Sequence, residues 1–181
     1  MKNTKKLTTL GILGAMSVLL AMLIHFPIFP QAAFLEYDPA DIPIFIAAFM
    51  LGPVSGLALT LVVSVVQGIS VSASSGVIGM IMHFLSTGAF VLVAGNIYRI
   101  NRTKKGAVIS LAAGVLTMAA VMTLWNIIFT PIFMKVPRQA VLGLLLPVII
   151  PFNFIKAGVN AVVTLLIYKK ISNFVSGLIN K

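Results

Sequence analysis

The sequence predicts an all-α integral membrane protein with six transmembrane helices, and three observations carry that prediction. Hydrophobic residues make up 60% of the 181-residue chain and charged residues only 9%, with a mean hydropathy of +1.12; soluble domains are roughly 25% charged. Apolar runs recur along the whole length, and since a span takes about 20 such residues, the chain holds six short-looped helices as one membrane domain, 1–181. The basic residues are clustered: Lys2, Lys5 and Lys6 precede the first run, Arg99, Arg102, Lys104 and Lys105 fill one short loop, and Lys169, Lys170 and Lys181 follow the last run. An even number of spans puts both termini and that loop on one side, which the positive-inside rule makes the cytoplasm. The same clustering assigns the formal charge of +10 to topology rather than to nucleic-acid binding. The chain has no cysteine, which excludes disulfides, iron–sulfur clusters and cysteine zinc sites.

Helix 1 is expected over about Leu7 to His25, ending where Pro27 and Pro30 discourage continuation. Its apolar run is longer than the 7–15 residues of a signal-peptide core and more spans follow, so it reads as a retained helix. Asp38-Pro39-Ala40-Asp41 reads as a helix start, with Asp38 as N-cap, Pro39 in the first helical position and Asp41 in the first turn. Helix 2 then runs over about 40–51, and Gly52-Pro53-Val54-Ser55-Gly56 turns the chain into helix 3, about 56–69. After the Ser/Gly-rich stretch Ser70–Gly76, helix 4 covers about 77–97 and helix 5 about 107–129, stopped at Thr130-Pro131. Pro137, Pro147 and Pro151 predict an irregular segment before helix 6, about 148–168. The outer side therefore receives the loops 26–41, 70–76 and 131–148, and the first of these holds Glu36, Asp38 and Asp41, all the acidic residues of the chain.

Lys156 heads an apolar stretch roughly 20 Å along the helix from cytoplasmic Lys169. An ionisable residue inside the bilayer is costly and marks a partner, a cavity or a ligand. Asn153, Lys156 and Asn160 recur at i, i+3 and i+7, a polar stripe on one face. Two readings stay open: Lys156 pairs with Asp38 or Asp41 or snorkels outward while the asparagines bridge helices, or the stripe holds a ligand. Asn126, near the outer end of helix 5, reaches toward the same region, and Trp125, Phe129, Phe133, Phe34 and Tyr37 are candidate aromatic walls. His25 and His83 are too isolated for a metal or general-base role, and Ser64 and Gln67 read as helix–helix contacts. Gly11 and Ala15 form a small-xxx-small pair on helix 1, suited to internal packing or to a partner.

Three segments carry a family resemblance: Phe34-Leu-Glu-Tyr-Asp-Pro-Ala-Asp-Ile-Pro43 with Gly52-Pro53 and Gly56, then Trp125-Asn-Ile-Ile-Phe-Thr-Pro-Ile-Phe133, then Leu146-Pro-Val-Ile-Ile-Pro-Phe-Asn-Phe-Ile-Lys-Ala-Gly-Val-Asn160. In this order they resemble the substrate-binding S components of energy-coupling factor (ECF) vitamin transporters, and most closely the riboflavin-specific members. The resemblance implies a multi-pass protein of a prokaryotic cell membrane with a vitamin pocket toward the extracellular side. It implies riboflavin as transported substrate rather than cofactor, and as partners a transmembrane coupling subunit and two ATPase subunits that hydrolyse ATP in this chain's stead. Carried onto this sequence, it places Tyr37, Asp38, Asn126, Asn153 and Lys156 at the ligand and Gly11 and Ala15 at the coupling subunit, with Gly11 standing where alanine is more usual.

Other readings have their own signatures. Another S component, for pantothenate or folate, shares the fold. A stand-alone secondary transporter is disfavoured by the lack of a membrane-buried acidic relay in helices 2 to 6, and an enzyme by the lack of a nucleophile–base or metal constellation.

Overall fold

The apolar runs become helices whose outward faces remain greasy, while one helix, apolar on every side, is swallowed by the others. The computed structural model describes residues 3–179. It contains α1 (Asn3–Leu23), α2 (Asp41–Leu51), α3 (Pro53–Ile69), α4 (Gly76–Ile100), α5 (Lys104–Met134), α6 (Arg138–Leu144) and α7 (Ile150–Ile179). A small antiparallel hairpin, β1 (Phe26–Pro27) and β2 (Glu36–Tyr37), pairs Phe26 with Tyr37 and Pro27 with Glu36. Lys2 and Lys181 of the basic clusters lie outside the described residues.

Four stretches are long and apolar enough to cross a bilayer: Asn3–Leu23, Gly76–Ile100, Lys104–Met134 and Arg138–Ile171, with α2 and α3 as shorter apolar helices. Exposed Leu61, Val62, Leu116, Leu124 and Leu166 cover the outside, a surface suited to lipid rather than water. α2 has no polar face after Asp41, and every residue from Asp41 to Phe49 is buried against α1, α3, α4 and α7, as an all-round apolar helix requires. Around it α3 packs on α4, α4 on α5 and α5 on α7.

Aromatic stacking fixes direction. Phe45 stacks on Phe90 at 3.6 Å and Phe49 on Tyr98 at 4.0 Å, while Tyr98 meets Tyr168 edge-on at 6.1 Å. The C-terminal ends of α2 and α4 and the Tyr168 region of α7 therefore meet at one end. Asp41, His83 and Asn160 meet toward the other, so the three helices run parallel.

Several expectations are corrected. α1 begins at Asn3 and ends at Leu23, before His25. Asp38 is not the N-cap of α2; the helix starts at Asp41, and Asp38 Oδ1 instead accepts the Ala40 N–H at 3.0 Å, a local turn that competes with capping. The turn between α2 and α3 is Gly52 alone, at φ 91°, a conformation that favours glycine, and Pro53 already opens α3. Pro131 does not end helix 5: α5 continues to Met134 and stops at Lys135, which is left-handed at φ 53°. Proline is tolerated inside apolar helices of this kind because neighbouring groups satisfy the freed backbone. The segment expected to be an irregular loop is α6 followed by a π-helical turn, Leu145–Ile149, centred on Pro147. Such wide turns re-aim the residues that follow, here Asn153 and Lys156.

Candidate ligand-binding site

The first loop folds back over one end of the helix bundle. Ala32 and Leu35 from the loop bury against Val141, Val148, Ile149 and Phe152 from α6, the π turn and α7, forming a second small core. Beneath this cover lies a cavity lined by Phe34, Glu36 and Asp38 from the loop, Ser64 and Gln67 from α3, Met82 and His83 from α4, Met118, Met122, Asn126 and Thr130 from α5, and Phe152, Asn153 and Lys156 from α7. Methionine and phenylalanine give it apolar, adaptable walls, and a few convergent amides and charges give it direction, the usual make-up of a small-molecule site.

Lys156 Nζ donates to Asp38 Oδ2 at 2.6 Å and to the Glu36 carbonyl at 3.1 Å. The pairing expected as one of two readings is therefore present, and the paired groups also line the cavity. Four of the five expected site residues, Asp38, Asn126, Asn153 and Lys156, come together there. The fifth, Tyr37, is not among the lining residues: its hydroxyl donates to Asn160 Oδ1 at 3.0 Å behind the wall. Burial, with the Asp38 carboxylate beside it, pushes the Tyr37 phenol up, which keeps it a neutral donor. Asn126 and Asn153 each donate Nδ2 to the carbonyl one turn back, Met122 at 2.8 Å and Ile149 at 2.7 Å. Of the candidate aromatic walls only Phe34 and Phe133 line the cavity; Trp125 and Phe129 are not among its lining and meet each other at a 36° tilt with ring centres 5.3 Å apart.

Below the cavity Asp41, fully buried, collects three donors. Thr87 Oγ1 reaches its Oδ1 at 2.9 Å, His83 Nε2 the same oxygen at 3.1 Å, and Asn160 Nδ2 its Oδ2 at 3.5 Å. His83 Nδ1 meets Ser64 Oγ at 2.7 Å, so the network continues into the wall. Ser64, Gln67 and His83 are the site residues that sequence reasoning missed. The signal of Ser64 and Gln67 was legible: Thr60, Ser64 and Gln67 stand at i, i+4 and i+7 in an otherwise apolar helix, a stripe like that of Asn153, Lys156 and Asn160.

The family described as ECF transporter, substrate-specific component, matches residues 5–168. This chain belongs to that family. It is 30% identical over 180 residues to the riboflavin transporter RibU of Staphylococcus aureus (strain TCH60), covering 96% of this chain and 94% of that one. It is likewise 30% identical over 181 residues to the riboflavin transporter FmnP of Bacillus subtilis (strain 168), covering 96% and 95%. Among solved structures, the S component of a bacterial ECF transporter superposes with a TM-score of 0.80 at 30% identity, covering 96% of this chain and 98% of that chain. Members of this family are the substrate-specific components of transporters.

Proposed function

We propose that this chain is the riboflavin-binding S component of an ATP-driven ECF transporter in a bacterial cell membrane, and that riboflavin occupies the covered cavity. The observation that carries the reading is the convergence of Asp38, Asn126, Asn153 and Lys156 with Met and Phe walls in a chain whose near full-length relatives are riboflavin transporters. Riboflavin joins a flat ring system to a chain of hydroxyls, and hydroxyls taken from water need partners. Asn153, Asn126, Asp38 and Lys156 offer them, and the Met and Phe walls take the ring.

The proposed topology is six crossings with both termini and the α4–α5 turn in the cytoplasm, with Arg102 in that turn and Lys104 and Lys105 opening α5 beside it. α2, at 11 residues only about 16 Å long, serves as an interior span because the cavity and first loop cover its Asp41 end. The coupling subunit and two ATPase subunits are the proposed partners, with the Gly11 and Ala15 face of α1 as docking surface. Both residues are exposed, and a side chain added at Gly11 meets nothing within 4 Å, so the face is open to a helix from outside.

The test is uptake in vesicles. Radiolabelled riboflavin should enter only when the coupling module and ATP are present, and Gly11→Leu should lose assembly and uptake while the isolated chain keeps its riboflavin affinity. Uptake by the chain alone would contradict the S-component reading, and undisturbed assembly of Gly11→Leu would remove the docking role.

A further inference from the structure

The wall formed by α3 holds one polar side chain that the protein itself leaves unused. Gln67 is 6% exposed and lines the cavity, yet its carboxamide makes no hydrogen bond among the described residues. The polar side chains of α3 and α4 beside it are committed: Ser64 Oγ lies 2.7 Å from both the Thr60 carbonyl and His83 Nδ1, His83 Nε2 is held by Asp41, and Ser86 Oγ donates to the Met82 carbonyl at 2.7 Å. The Gln67 backbone is fixed as well. Its carbonyl accepts from the Ser70 and Ser72 amides at 3.1 and 2.9 Å, closing the end of α3. The next residue, Gly68, lets α4 approach so closely that an added side-chain carbon would collide with Met80. The Gln67 amide atoms are not among the sealed, partnerless ones, so they open on the cavity and are free to bond what enters it.

We propose that Gln67 is a specificity-determining residue that reads an imide edge of the ligand, an N–H flanked by carbonyls. A carboxamide presents one acceptor and two donors in a plane, which matches such an edge with two parallel hydrogen bonds: Oε1 accepts from the ring N–H and Nε2 donates to an adjacent carbonyl. Hydroxyls on a flexible chain offer no such fixed pair. Asn126, Asn153 and Lys156 stand on α5 and α7, whereas Gln67 stands on α3, on the far side of α4 from α5. The cavity thus draws polar side chains from different helices, with Met80 and Met82 of α4 and Met118 and Met122 of α5 among its apolar lining. Given the riboflavin reading, on which this assignment rests, the pyrimidine edge of the flavin faces Gln67 and the ribityl hydroxyls face α5 and α7.

Riboflavin and N3-methylriboflavin, titrated against purified wild-type chain and Gln67→Met, test this. The methyl group removes the donor that Gln67 accepts. Wild type should bind the methylated flavin roughly tenfold more weakly or worse, the value of one or two lost hydrogen bonds. Gln67→Met, of similar shape and without polar atoms, should bind riboflavin weakly and the two flavins alike, and measurable binding of N3-methylriboflavin by this variant certifies its fold. Undiminished riboflavin affinity in Gln67→Met, or an undiminished preference for riboflavin over its methylated form, overturns the assignment. Equal affinity of wild type for both flavins overturns it whatever the variant does. Wild type that binds neither flavin defeats the riboflavin reading itself, and this assignment with it.

Discussion

Lys156 and Asn153 contribute to the cavity by different physics, and their variants should separate. Lys156 holds the Asp38 carboxylate at 2.6 Å with both side chains about one-sixth exposed or less, at 14% and 16%. Removing one partner of a mostly buried pair strands the other at about 3–5 kcal/mol. Lys156→Met should therefore lower both thermal stability and riboflavin affinity, and adding Asp38→Asn should restore the stability but not the binding. Asn153→Ala frees only the Ile149 carbonyl, so stability falls by about 1 kcal/mol while riboflavin affinity drops roughly tenfold through loss of a cavity amide. Thermal unfolding with riboflavin titration in detergent reads both; unchanged affinity in either single variant would remove that residue from the site. The Lys156 stripe was legible because charge inside an apolar run stands out in any sequence. His83 was not, since a single polar residue on a membrane helix looks the same whether it serves packing or a cavity, and only the fold brings Asp41 to His83 across 42 positions.

Helix contacts in this bundle depend on where small residues let backbones close. A side chain added at Gly56 would meet Val91 at 2.7 Å and the Ala48 methyl at 2.8 Å, on two different helices, whereas at Gly11 it meets nothing. Gly56→Ala should lower stability by about 1–3 kcal/mol as overpacking does, and Gly11→Ala should stay within about 0.5 kcal/mol, both measured by thermal unfolding. Equal effects would mean that the α2–α3–α4 packing is wrong. Hydropathy and proline marked the long helices well. They misjudged Pro131 and the α6 segment because proline breaks a helix in water more reliably than in an apolar surrounding, where neighbours repair the lost bond. The Asp38 cap failed for a related reason: its side chain serves the Ala40 amide and Lys156, and the buried Asp41 begins the helix instead.

At the scale of the molecule, the proposed orientation rests on charge asymmetry, and the first loop packs over one end of the bundle. The chain contains no cysteine, so single cysteines report topology directly. Gln31→Cys in the first loop should react with an impermeant maleimide in intact cells, and Arg102→Cys in the α4–α5 turn only after permeabilisation; the reverse pattern would invert the proposed orientation. The central claim, that the covered cavity is a riboflavin site, is tested most directly by the absorption spectrum of the protein purified from cells grown in rich medium. A riboflavin site makes the purified protein yellow, with the visible and near-ultraviolet bands of an oxidised flavin, retained through gel filtration and lost on unfolding. A colourless protein that gains no such bands on incubation with riboflavin would contradict it.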